Sequence, residues 1–309
     1  MASRTTSQTW PTDNSASASR RTELASFLRS RRERIQPVEA GLPPGGRRRT
    51  PGLRREEVAL LAGISVEYYT RLERGNARGV SESVLEGIAR ALQLNEAERA
   101  HLIDLVHAAN TTRPTRRRPT QQRVRPSVQR ILDSMTGTPA FVQNGRLDVL
   151  YANQLGYALY SEAFHDRVHP ANLARFFFLD SRATDFFIEW ENVANDIVAL
   201  LRAEAGRDPY DRALSDLIGE LSTRSEEFRV RWAAHNVRFH RTGVKRFHHP
   251  LVGYLTLAYE ALELPGDPGQ TIFAYTAEPN SPSHDALNLL ASWSSTPNQA
   301  SAIHADEER

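Results

Sequence analysis

Twenty residues, Arg55 to Arg74, constrain this chain more than any other stretch. A short helical pattern, "REEVALLA", runs into Gly63, and a second, "VEYYTRLE", follows Ile64 and Ser65. Helices that cross tightly need a small residue where the second approaches the first, and Ala59 stands there. The bend needs a residue that tolerates positive φ, which Gly63 supplies. Ile64 is the apolar plug after the bend, and Ser65 has the side-chain oxygen of an N-cap. Tyr69 and Leu72, three apart, bury one face of the second helix. Val66, Glu67, Tyr68, Thr70, Arg71 and Arg74 are left facing outward. The spacing predicts a helix-turn-helix; a plain helical hairpin shares the apolar spacing and the glycine.

Charge favours the first reading. Residues 1–125 carry 23 arginines against 13 acidic residues, and residues 126–309 carry 16 basic against 24 acidic ones. A net charge of +2 thus hides +10 at one end and −8 at the other. The first end suits a polyanion. "GGRRRTPGLRR", 45–55, puts five arginines ahead of the motif in a glycine- and proline-containing loop that can reach phosphates. The expected phosphate contacts are Arg47, Arg48, Arg49, Arg54, Arg74 and Arg78. Base reading falls by geometry to the start of the second helix, at Ser65, Val66, Glu67, Tyr68, Thr70 and Arg71. Arg71 is suited to a bidentate contact with guanine, Thr70 to a thymine methyl, and Glu67 to a cytosine amino group.

The chain has 309 residues and no cysteine, which excludes disulfides and thiolate catalysis and fits a cytoplasmic protein. No apolar run approaches the roughly 18 residues that span a membrane, and no basic segment leads into an apolar core at the start. A disordered tail is expected over 1–19, a helical domain over 20–109, a proline-, arginine- and threonine-rich linker over 110–125, a second domain over 126–297 and a second tail over 298–309. Apolar stripes at Leu24, Phe27 and Leu28, at Val58, Leu61 and Ala62, at Val84, Leu85, Ile88 and Leu92, and at Leu102, Leu105 and Val106 predict a five-helix bundle. Asn95 with Glu98 resembles a capping box.

The second domain mixes periods. Asn144-Gly145 in "AFVQNGRLDVLYAN" predicts a two-residue hairpin turn. Helices are expected over 153–162, 171–179, 184–205, 210–222 and 225–236. Strands are expected in "GVKRFHHPLVGYLTLAYEALEL" and "QTIFAYTAE", and a closing helix begins with Ser281 as N-cap and Pro282 at its first position. Helices with an antiparallel sheet make an α+β domain. His165 and His169 are four apart, but Pro170 follows at once and no HExxH pattern is present. His248 and His249 are strand neighbours facing opposite ways. With no G-x-S-x-G elbow, P-loop or GxGxxG, neither a catalytic residue nor a metal site is assigned.

"LRREEVALLAGISVEYYTRLERG" resembles the DNA-binding domain of Xre-type, lambda-repressor-like regulators. The arginine-rich loop before it, with "NLARFFFLD", "LRAEAGRDPYD", "GELSTRSEEFRVRWAAHNV" and "KRFHHPLVGYLTLAYEALELPGDPGQTIFAYTAEPNSPS", is similar to the MmyB-like branch, from about 22 to 296. Asn236 departs from that pattern, which usually has Asp. The resemblance implies an all-α helix-turn-helix bundle followed by an α+β PAS-like domain with an antiparallel sheet. It also implies a transcription regulator that binds double-stranded DNA and senses a small apolar, fatty-acid-like ligand, without a required cofactor. The aromatic helices suggest Tyr157, Phe178, Trp190, Phe228 and Trp232 as ligand contacts, with Arg229 and His235 meeting a polar head, although for each taken singly ordinary packing or ion pairing is the more usual role. A homodimer is expected, because one such DNA-binding unit buries little surface. The alternative is a regulator whose second domain serves only dimerisation or partner docking.

Overall fold

The computed structural model describes residues 13–43, 52–110, 123–165, 171–208, 210–234 and 242–294. These group into two compact units. One takes in the described residues up to 110 together with residues 205–208 and 210; the other takes in the rest from 123 onward.

The first unit is the five-helix bundle that the apolar stripes predict: α1 (Asp13–Arg34), α2 (Arg55–Ala62), α3 (Val66–Glu73), α4 (Glu82–Ala91) and α5 (Glu96–Asn110). Leu24, Phe27 and Leu28 of α1, Leu85 and Ile88 of α4, and Leu102, Leu105 and Val106 of α5 are buried together with Val58, Tyr69 and Leu72. One stripe differs from the reading: on α2 the buried pair is Val58 and Ala59, and Leu61 is exposed, as is Leu60. With only eight residues, packed mainly on α3 and α4, α2 buries a face narrower than its apolar content suggests. The capping box at α5 is formed, Glu98 N–H donating to Asn95 Oδ1 at 2.9 Å and Asn95 N–H to Glu98 Oε2 at 3.0 Å. Glu98 also receives Arg34 at 2.8 Å, tying α1 to α5.

The second unit is a PAS-like α+β domain. Its sheet is antiparallel in the order β2-β1-β5-β4-β3, from β1 (Ala140–Asn144), β2 (Val149–Ala152), β3 (Thr242–His249), β4 (Gly253–Glu263) and β5 (Gln270–Thr276). The helices are α6 (Pro126–Ser134), α7 (Gln154–Leu159), α8 (Leu173–Leu179), α9 (Arg182–Phe186), α10 (Trp190–Arg207), α11 (Arg212–Arg224), α12 (Glu226–Ala233) and α13 (Pro282–Ser294), with a 3₁₀ turn at Ser161–Phe164. Strand alternation sorts the sheet into two buried faces. Val142 and Ile272, directly paired, pack with Val128 and Leu132 of α6. Phe141, Phe273, Tyr275, Tyr259 and Phe247 face the other side and form a continuous aromatic cluster with Tyr160, Phe186 and Phe187. Asn153 locks this frame: its Oδ1 accepts from Ala140 and Gly156 N–H, and its Nδ2 donates to the carbonyls of Leu132, Met135 and Thr138. Ser281 caps α13, accepting from His284 N–H at 3.2 Å.

Two local expectations are corrected. The first hairpin does not turn on Asn144-Gly145 alone: the loop runs over residues 145–148, and the residue with positive φ is Leu147, at +65°. Asn144 drives this, because its Oδ1 accepts from both Arg146 and Asp148 N–H at 3.0 Å and widens the turn. The expected helix over 184–205 is two helices. Phe187 forms a β-bridge with Phe247, and Ile188 N–H donates to Arg246 O at 3.2 Å, so residues 187–189 leave the helical path to follow the edge of β3.

Candidate DNA-binding and ligand-binding sites

The bend at Gly63 is a Schellman cap. Gly63 has φ +69°, its N–H reaches Leu60 O at 3.2 Å, and Ile64 N–H reaches Ala59 O at 3.0 Å. Ser65 then accepts from Tyr68 N–H at 3.1 Å and starts α3. The close approach of the next helix is just as specific: a Cβ on Gly87 of α4 would lie 2.7 Å from Ala62 O. The start of α3 is thus fixed by the bend and its cap, while α4 is seated against the end of α2.

Its outer face carries the residues singled out from the sequence. Glu67, Arg71 and Arg74 are exposed, Val66 is 40% exposed, and Tyr68 and Thr70 are half-buried. The Arg71 guanidinium lies over the Tyr68 ring, 4.8 Å from its centre, so the two side chains sit together on the outer face. Arg54 is exposed beside Glu56 at 3.5 Å, and Arg78 is exposed with its N–H on Asn76 Oδ1. Arg47, Arg48 and Arg49 lie outside the described residues.

Arg55, counted among the loop arginines, has a different task. Its Nε donates to Glu73 Oε2, while Arg32 Nε donates to Glu73 Oε1 at 2.6 Å and Arg32 Nη1 to Leu53 O at 2.8 Å. Glu73 is buried, as is Arg32. This carboxylate joins α1, α2 and α3 from behind, and it holds the Arg55 pKa above its ordinary value. Burial, then Glu73, pushes the Tyr69 hydroxyl pKa upward beside it. A signal for the network existed in the sequence: Glu73 falls four residues after Tyr69 and one after Leu72, on the apolar face of its helix.

In the second unit the proposed aromatic contacts mostly meet one another. Trp190 lies edge-on to Phe178 at 6.0 Å, Phe178 edge-on to Phe228 at 5.1 Å, and Phe228 stacks on Trp232 at 5.5 Å, with Arg202 over Trp232 at 4.0 Å. They form a ladder joining α8, α10 and α12. Tyr157 packs on Phe164 at 4.7 Å, and Arg229 is exposed beside Glu226 at 3.6 Å. His235 and Asn236, like His169, lie outside the described residues.

A small, partly open chamber lies elsewhere, between α10 and the aromatic face of the sheet. Its volume is about 30 Å³, and its walls include Phe141, Phe187, Leu173, Val193, Ile197 and Leu200, with Gln143, Asp196 and Lys245 as the polar side chains beside Tyr160. No residue of the aromatic ladder borders it.

A family model of the MmyB-like transcription regulator ligand binding domain matches residues 124–290, and a helix-turn-helix domain model matches residues 23–102. The chain belongs to the MmyB-like transcription regulators. No curated protein matches it. It is a transcription regulator with a DNA-binding helix-turn-helix domain and a ligand-binding domain, and both modules are regulatory rather than enzymatic in family. Among the described residues no helix is long and apolar enough to cross a membrane.

Among the described residues the regulator's chamber has one cationic side chain, and it is the one lysine of the sequence. Lys245 Nζ sits 5.0 Å from the Tyr259 ring centre, 5.9 Å from that of Tyr275 and 6.0 Å from that of Phe273, and it reaches Tyr275 Oη at 3.5 Å. Tyr275 in turn shares a 2.7 Å hydrogen bond with Tyr160. Burial lowers the Lys245 pKa to about 8, Asp196 opposing the shift. His248 and His249 face opposite ways, as strand neighbours must: His248 stacks on Tyr254 at 4.9 Å, while His249 is buried. A neutral imidazole fits the latter, with Nε2–H donating to Ala158 O and Nδ1 accepting from Leu251 N–H, and burial holds its pKa below the ordinary value. The sequence signal for Lys245 was its place two residues before Phe247, in phase with the buried side of β3.

Proposed function

We propose that this regulator reads its operator with α3, using Ser65, Val66, Glu67, Tyr68, Thr70 and Arg71 on base edges and Arg54, Arg74 and Arg78 on phosphates, with Arg47, Arg48 and Arg49 of the preceding loop. The observation that carries the reading is the Schellman bend at Gly63, which turns α3 so that its Tyr69–Leu72–Glu73 side is buried and its opposite face is open. Two copies acting as a homodimer on paired half-sites supply the affinity that one short helix lacks. The ligand is a small apolar, fatty-acid-like molecule, and the chamber beside α10 is its entrance to the fold. In the closed form the chamber holds about one water, far below the roughly 300 Å³ at the small end of ligand sites, so binding requires α10 to move outward. Ligand acts on DNA binding only through its preference for one arrangement of the protein. No metal or prosthetic group is required.

The test is fluorescence anisotropy on promoter DNA with the full chain. Thr70→Ala with Arg71→Ala should lower specific binding by about 10²-fold, while non-specific binding falls much less. Unchanged promoter affinity would sink the assignment of α3. Mass spectrometry of small molecules extracted from the native protein tests the ligand class.

A further inference from the structure

The second unit has a cavity larger than the chamber, and no residue borders both. It is a cleft of about 480 Å³ between the 3₁₀ turn, α8, α9 and α11, a size usual for small-molecule sites. Its chemistry is the reverse of the chamber's. Among the described residues four carboxylates and three guanidinium groups line it, with Ala163, Ala171, Phe176 and Leu179 as the apolar part. The two signs nearly balance, so the cleft draws in neither a simple anion nor a simple cation.

Most of these charges are spent on one another. Arg182 uses all three of its nitrogens, on Asp180 and Glu162. Asp148 is taken by Asn144, Arg146 and Asn172. Glu220 accepts from Arg175 Nε at 2.8 Å on one oxygen and from Arg224 Nη1 at 2.8 Å on the other. Of the less exposed groups, two keep capacity. Arg175 gives only Nε, so its two terminal nitrogens, the pair that forms a bidentate fork for a carboxylate, have no partner among the described residues. Glu162 accepts only from Arg182, at 3.3 Å on Oε2, and its Oε1 accepts no hydrogen bond among the described residues. The Arg175 side chain is 38% exposed and that of Glu162 27%, so a charge bound there is partly shielded from water. α8 thus brings a fork of donors to the cleft, and the 3₁₀ turn brings an acceptor oxygen.

We propose that this cleft is a second ligand site, independent of the chamber, for a small zwitterion of the amino-acid class. Its carboxylate sits on the Arg175 fork, its ammonium on Glu162, and its aliphatic part on Phe176 and Leu179. A molecule with one charge of each sign uses both groups and leaves the balance of charge in the cleft unchanged. Blocking either end leaves one of the two groups to water alone, so recognition needs both ends.

The experiment titrates the full chain calorimetrically with 6-aminohexanoate, whose flexible chain lets its two charged ends adapt to the spacing of Arg175 and Glu162. The controls are 6-acetamidohexanoate, which lacks the cation, and 6-aminohexanamide, which lacks the anion. The wild type should bind the zwitterion roughly 5- to 20-fold more tightly than either control, the range for one charge-assisted contact in a half-shielded site. Arg175→Gln, in which Glu220 keeps Arg224, should lower zwitterion affinity to that of 6-aminohexanamide while leaving the amide's own binding unchanged within about threefold. Glu162→Gln should act in the same way on the other end, and only there. Arg175→Lys, which keeps the charge and loses the fork, should give an intermediate affinity, and it serves if the Gln variant fails to fold. No binding of 6-aminohexanoate at up to about 10 mM, or equal binding of the zwitterion and its controls, would overturn the site. So would an affinity left undiminished by substitution at both Arg175 and Glu162. None of these results bears on the chamber, since no lining residue is shared.

Discussion

Replacing Glu73 with alanine tests the physical basis of the DNA-binding unit most directly. The carboxylate is 1% exposed and is held by two guanidinium groups, Arg32 at 2.6 Å with 8% of its side chain exposed, and Arg55 with 45%. Arg55 can turn to solvent once its partner is lost, so its share is small. Arg32 cannot: it remains buried, with the Leu53 carbonyl at 2.8 Å and the part-exposed Glu33 carboxylate at 3.6 Å as its remaining acceptors. Breaking a buried ion pair from one side costs about 3–5 kcal/mol, mostly the penalty of the charge left behind. For a unit of this size each kcal/mol shifts the melting midpoint by roughly 4–8 °C, so the helical transition should fall by roughly 12 °C or more. Calorimetry of the full chain resolves this from the transition of the second unit. If the cost arises from the stranded cation, Glu73→Met with Arg32→Met should recover most of the loss, because two apolar side chains replace the pair. A loss below about 0.5 kcal/mol in Glu73→Ala, or no recovery in the double variant, would refute the argument.

Other positions give independent tests by the same methods. Gly63→Ala should destabilise the helical unit by about 1 kcal/mol, and Gly63→Val by more, because the left-handed backbone and not crowding is at stake there: among the described residues no atom beyond its chain neighbours lies within 4 Å of the position a Cβ would take. Gly87→Ala should cost more than Gly63→Ala, since its Cβ must push α4 away from the Ala62 carbonyl. Asn153→Ala should destabilise the second unit by about 3 kcal/mol, and Asn153→Asp by at least as much, because a carboxylate would face three carbonyl oxygens. The Lys245 pKa is lowered on folding from 10.5 to about 8, so the folded state holds this proton less tightly than the unfolded one. Its contribution to stability is therefore unfavourable below pH 8 and eases as pH rises toward 10.5. Urea denaturation from pH 8 to 9.5 should show this rise in the wild type and its absence in Lys245→Met.

The helix-turn-helix was legible because its determinants are local. A glycine that must turn left-handed, a serine that must cap and an apolar pair three apart all act within a few residues, and the sequence alone determined where α2 ends, where α3 begins and which face of α3 is outward. The same holds for the Asn95–Glu98 box and the Ser281 cap. What only the tertiary structure decided depends on partners far along the chain. Glu73 meets Arg32 across 41 residues, so an arginine in a basic stretch and an acid on an apolar stripe become one ion network. Phe187 ends a helix because β3, some 60 residues on, offers it a bridge. The aromatic helices announced a core but could not say which rings would fill one another's space and which would border a void. A void is set by what several elements together fail to fill, and no single segment carries that information. Lys245 entered it through strand alternation, which fixed its side of the sheet, whereas α10, the cover over that side, is placed by contacts that no local rule records.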